Sequence, residues 1–192
     1  MASSAPRNPA RQAATKSAKT PPAAAGPDAI ALLRADHRRV SALYDQYEGA
    51  RSVAKKKALV ASICLELAIH AQVEEEIFYP AVKAALKDRE MVPEAQVEHA
   101  SLKELIAQVQ DKEPDGEMFD AKIKVMSEYT KHHVKEEHSE MFPKARKTRL
   151  DMHALGARIA ARKEELIASP ELMQAPPLPL PAPAKPALAT TA

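Results

Sequence analysis

The chain has 192 residues, with 28 Lys+Arg against 26 Asp+Glu and a formal net charge of +2. That balance argues against a dedicated nucleic-acid binder, whose domain is normally strongly basic. One cysteine, Cys64, excludes an internal disulfide and any CxxC metal or redox site. No apolar run approaches the ~18 residues of a membrane span. Only four glycines are present, and neither GxGxxG nor GxxxxGK[ST] occurs, which removes the usual phosphate cradles.

Residues 1–27 (MASSAPRNPARQAATKSAKTPPAAAGP) contain no Leu, Ile, Val, Phe or Tyr and carry Arg7, Arg11, Lys16 and Lys19 without an acid. Such a segment buries no core and is expected to be a disordered tail, open to weak electrostatic contacts. It has no apolar h-region, so a cytoplasmic chain is expected, although the lack of acids would also suit a transit peptide. Residues 170–192 are Pro/Ala-rich and read as a second disordered tail.

The folded domain falls in 28–169. Asp28 is a plausible N-cap, and Ile30, Leu33, His37, Val40, Tyr44 and Tyr47 then recur at spacings of three and four. Leu59, Ile63, Leu67, His70, Glu74 and Phe78 form a second stripe. Ala95, His99, Leu102, Ile106 and Val109 form a third, and Phe119, Ile123, Met126, Thr130, His133, Glu137 and Met141 a fourth. Breaks fall at 49–52, 88–93 and 114–116. The spacing predicts an all-α fold: an up-down-up-down antiparallel four-helix bundle, with a fifth helix over about 152–168 packed outside.

Polar residues stand where these stripes demand apolar ones. His37, His70, Glu74, His99, His133 and Glu137 all face inward. A buried carboxylate costs several kcal/mol unless it is paired or bound to metal. The six also repeat. His37 to His70 is 33 residues and His99 to His133 is 34; His70–Glu74 and His133–Glu137 are both HxxxE; each Glu precedes a proline (Pro80, Pro143) by six. Two helix hairpins thus each supply one His and then one HxxxE. Residues i and i+4 share a helix face, so a His and a Glu so placed can grip one metal, or the Glu can bridge to a second. Two such sets in one core imply two metals bridged by carboxylates, and imidazole with carboxylate suits iron, with manganese or zinc as substitutes.

The stretches DAIALLRADHRRV, HAQVEEEIFYPAV, EHASLKEL, HHVKEEHSEMFPKARK and DMHALGARIAARKEEL resemble those of bacterial hemerythrin-like proteins of the HHE cation-binding domain family. The resemblance implies two non-heme iron ions with a bridging oxo or hydroxo group, held by His37, His70, Glu74, His99, His133 and Glu137, with Glu74 and Glu137 as bridges. It implies O2, NO or peroxide as the small ligand, for sensing, binding or stress protection. An enzyme that decomposes peroxide or reduces NO, and a role in iron storage or delivery, are the alternatives.

One departure changes the ligand count. Oxygen carriers of the family have a fifth histidine on the third helix; here His99 is flanked at four residues by Ala95 and Lys103. Two six-coordinate ions have twelve positions. Two bridging Glu, a bridging oxygen and four His leave two of them vacant. His138 is the leading candidate for an added ligand, and Tyr44, Tyr47 and Tyr129 are further oxygen donors more readily read as core packing. His132 registers with Ile69 in the other half, which disfavours it, and His153 lies beyond the repeat. Asp36 and Glu98 are placed to accept from imidazole N–H groups. Cys64 reads as a small buried residue.

Overall fold

The computed structural model describes residues 26–87 and 89–169. The tails expected at 1–27 and 170–192 lie outside the described residues, apart from Gly26 and Pro27.

Four rods form the bundle. The first is α1 (Ala29–Gly49), capped by Asp28, whose carboxylate accepts from Ala31 N at 2.8 Å. The second is α2 (Val53–Val73), capped by Ser52, a π-helical turn Glu74–Phe78, and α3 (Tyr79–Leu86). The third is α4 (Met91–Val109). The fourth is α5 (Glu117–Glu136), a second π-turn Glu137–Met141, and α6 (Phe142–Arg146). Gly116, at φ +135°, starts α5 from a backbone conformation that side chains disfavour. No strand occurs among the described residues, and none of their helices is long and apolar enough to cross a membrane.

The two π-turns have a cause in the sequence. Pro80 and Pro143 lack the N–H that an α-helix would direct back four residues, and their rings crowd the preceding turn. The backbone widens there. Tyr79 N–H bonds to Glu74 O, and Phe142 N–H to Glu137 O, each five residues back. The 3.6-residue periodicity of the sequence does not foresee this shift.

The core is cut in two by the polar layer. On one side lie Val40, Tyr44, Leu59, Ile63, Leu67, Ile106, Phe119, Ile123 and Met126. On the other lie Ile30, Leu33, Ile69, Val73, Phe78, Val82, Phe142, Ile159 and Leu166. The buried histidines and glutamates sit between these apolar slabs, away from bulk water.

The fifth helix, α7 (Met152–Ala168), lies against α1 and α2. It crosses the start of α1 so closely that a Cβ on Gly156 would stand 2.2 Å from Pro27 O and 2.9 Å from Ala29 N. His153 Nδ1 donates to Gly26 O at 2.7 Å. Arg162 pairs with Glu76 at 2.7 Å, and Lys163 with Asp36.

Candidate metal centre

All six inward-facing histidines and glutamates meet in one layer. Each is at most 6 % exposed, and Glu74 is fully enclosed. His37 and Glu137 approach through Nε2 and Oε2 at 3.2 Å, as do His70 and Glu74. His99 Nε2 lies 3.4 Å from Glu74 Oε2. The donors fall into two groups: His37, His70, Glu74 and Glu137, and Glu74, His99 and His133. Glu74 belongs to both.

The histidines present their Nε2 atoms to one another. His37 and His70 do so at 2.9 Å, His99 and His133 at 3.2 Å. Three of the four have a carboxylate at the outer nitrogen: Asp36 at 3.4 Å from His70, Glu75 at 3.0 Å from His99 and Glu98 at 2.7 Å from His133. A carboxylate there holds the proton on Nδ1 and leaves the inward Nε2 as a lone pair. Two lone pairs in contact require a cation between them. The residues therefore fit a metal, and two further features agree. Glu74 Oε1 and Glu137 Oε2 are buried and accept no hydrogen bond, and such orphaned oxygens are costly in a core without a cation.

Without a metal, protons take part of that role. Burial opposes a charge on His70, but the Glu74 carboxylate and the Asp36 hydrogen bond outweigh it and raise its pKa to about 10. His99 is raised against burial by Glu74 and Glu75. Burial would also raise Glu74, yet the charge and hydrogen bond of His70 hold it well below the usual carboxylate range. His37 is pushed down, chiefly by burial.

Tyr79 is the residue that sequence spacing missed. It is fully buried, and its hydroxyl lies 3.1 Å from Glu74 Oε2, 3.1 Å from Glu137 Oε1, 3.3 Å from His99 Nε2 and 3.4 Å from His133 Nε2. In an unbroken α-helix, position 79 would be rotated off the face of Glu74. The π-turn adds one residue and swings Tyr79 back onto that face. The available signal was Pro80, which marks where the helix must widen. In the other half the same register carries Phe142, whose ring stacks on His37 at 6.0 Å.

The other candidates from the sequence take different places. His138 Nε2 does not join either donor group; it lies 2.9 Å from His37 Nδ1. It thus takes the place against His37 that Glu75 takes against His99. Tyr44 OH meets Thr130 Oγ1 at 3.3 Å, and Tyr47 donates to Asp120 at 2.6 Å, both away from the layer. Tyr129 is 49 % exposed and not packed in the core. Cys64 is buried, and burial pushes its thiol up to about 12. His153 is exposed and His132 is 62 % exposed. Asp36 and Glu98 each hold the histidine of the neighbouring helix rather than the one beside them in sequence.

The model of the hemerythrin HHE cation-binding domain matches residues 28–145, more than half of the chain. The chain belongs to the hemerythrin HHE cation-binding domain family. It is a metal-binding protein of that family, whose cation is typically iron. Helix α7 lies beyond the matched HHE region. A solved HHE cation-binding domain-containing protein from Mycobacterium kansasii has the same fold, with a TM-score of 0.65 at 22 % identity, covering 77 % of this chain and 91 % of that one. A DNA nickase from Nostoc sp. is 25 % identical over 111 residues, which is 58 % of this chain and 31 % of that protein. This HHE chain therefore spans about a third of that protein's length.

Proposed function

We propose that the chain holds two non-heme iron ions, with a bridging oxo or hydroxo group, in its buried layer and takes O2, NO or peroxide there as a small ligand. The observation that carries this reading is Glu74, a single carboxylate common to two donor groups of His and Glu. His37 and His70 would serve one ion, His99 and His133 the other, with Glu74 and Glu137 between them. Bound iron supplies reversible redox change and a position open to a small oxygen or nitrogen ligand.

The remaining work belongs to the chain. Asp36, Glu75 and Glu98 orient the imidazoles from outside and keep their inner nitrogens basic. The two apolar slabs exclude water and strengthen every charge interaction in the layer. Tyr79 offers a further oxygen donor beside His99 and His133, which would fill one of the two vacant positions and leave one. A groove of about 300 Å3, lined by Val97, Leu102 and Tyr129, reaches His99 and His133 and has room for a diatomic or peroxide.

Tyr79 also favours a second reading, a peroxide-consuming enzyme. An anionic oxygen donor stabilises ferric over ferrous iron, whereas an oxygen carrier depends on the ferrous pair. Without a metal, burial and the neighbouring carboxylates raise the pKa of Tyr79 and keep it the neutral phenol, which directs its one proton toward Glu74 and Glu137; a bound ferric ion would have to displace that proton. The test is anaerobic reconstitution with ferrous iron, metal analysis, and spectra after O2 or hydrogen peroxide is added. Two irons per chain and an O2 complex that reverses on degassing support the binder. Turnover of peroxide above the rate of free iron supports the enzyme. Less than one iron per chain removes both.

A further inference from the structure

A third group of metal-ligating side chains lies outside the buried layer. Glu98 on α4 and His132 and Glu136 on α5 bring one donor atom each within 4.8 Å of the others. His132 Nε2 is 3.4 Å from Glu98 Oε1 and 3.2 Å from Glu136 Oε1. Neighbouring donors around one first-row metal ion, at bonds of about 2.1 Å, stand about 3.0–3.4 Å apart. His132 is 62 % exposed, so the group can be reached from solvent.

The group opens inward. Glu98 and Glu136, with Glu94 and Glu140, line a cavity of about 60 Å3 that reaches His133 and Glu137. Glu137 is 1 % exposed, and its Oε2 accepts no hydrogen bond. Glu98 touches both ends of the path: Oε1 faces His132, while Oε2 accepts from His133 Nδ1 at 2.7 Å. Five carboxylates line this one small cavity, Glu137 among them. Lys144 pairs with Glu140 at 2.9 Å, and the other four focus a negative potential that draws cations in.

The pseudo-equivalent face is closed. In the register that pairs His133 with His70, His132 and Glu136 correspond to Ile69 and Val73, both buried in the apolar cluster that α7 completes with Ile159 and Leu166. Only on the α4–α5 side does the repeat replace this apolar pair with an imidazole and a carboxylate.

We propose that Glu98, His132 and Glu136 form a capture site for a divalent transition-metal ion, which loads the buried centre by way of Glu137 and His133. Imidazole with two carboxylates selects such an ion over calcium or magnesium, which prefer all-oxygen sites. The inference rests on the di-metal reading above.

The test follows uptake of Co2+ by the metal-free full chain, by stopped-flow absorption at limiting Co2+, in wild type, His132→Ala, Glu136→Gln and a charge control, Glu48→Gln, at the exposed end of α1. The expected result is uptake at least fivefold slower in His132→Ala and in Glu136→Gln, wild-type rate in Glu48→Gln, and two Co2+ per chain at the end in all four. Uptake by the two site variants at the rate of wild type or of Glu48→Gln overturns the proposal. A lower final ion count in them also overturns it, because the triad would then belong to the holding set. A wild-type chain that retains no Co2+ overturns the di-metal reading itself.

Discussion

His138 Nε2 lies 2.9 Å from His37 Nδ1, in the place where the other half of the molecule sets Glu75 against His99. The two halves therefore share a pattern of inward histidines and glutamates but differ in what stands behind it. Three histidines are backed by a carboxylate and His37 by a neutral imidazole, since burial pushes His138 down to about 4. A neutral acceptor polarises its partner less, so His37 is the weakest donor of the four.

Removing that support should loosen the metal. His138→Ala is expected to weaken retention about tenfold, the low end of the range for losing an outer partner of a ligating histidine. Chelator competition on the loaded chain measures it. Retention equal to wild type would show that the contact with His37 orients nothing.

Tyr79→Phe should leave the fold intact, because the ring stays and only the hydroxyl goes. The ferric chain should show the visible charge-transfer absorption of a tyrosinate, and the variant should lack it. Identical spectra would mean that the phenol acts only through its hydrogen bonds to Glu74 and Glu137.

The metal-free chain should lose stability in alkali. The pKa of His70 is raised to about 10, the Glu74 and Asp36 contributions prevailing over burial. A raised pKa contributes stability that is complete below the ordinary imidazole value, about 6.5, and is lost as pH rises through the folded value. The melting temperature of the metal-free chain should therefore fall between pH 7 and 10, while metal affinity rises as the competing proton leaves. Glu74→Gln should flatten that dependence. A melting temperature that climbs across this range would contradict the assignment.

Gly156→Ala tests how α7 is seated. The new Cβ would meet backbone, Pro27 O at 2.2 Å and Ala29 N at 2.9 Å, so no side chain can move aside to relieve it. Overpacking of this kind costs about 1–3 kcal/mol, readable as a lower midpoint in urea. Because Lys163 on α7 holds Asp36, which faces His70, the same variant should release metal faster.

The four rods of the bundle, the fifth helix outside it and the six inward polar residues were legible in the sequence because all rest on short-range geometry. A stripe at spacings of three and four needs only the turn of one helix, and HxxxE needs only one face of it. Asp28 as a cap is equally local, whereas the Ser52 cap inside the break at 49–52 appears only in the structure. What the tertiary structure alone decided is everything that passes between helices or departs from 3.6 residues per turn. The π-turns at Glu74 and Glu137 arise where a proline interrupts a helix that packing holds straight, and they carry Tyr79 onto a face that regular periodicity denies it. The partners of Asp36, Glu98 and His138 lie on neighbouring rods, at sequence separations of 34, 35 and 101. No local pattern encodes such pairs; they exist because burying the apolar slabs brings the rods together in one register.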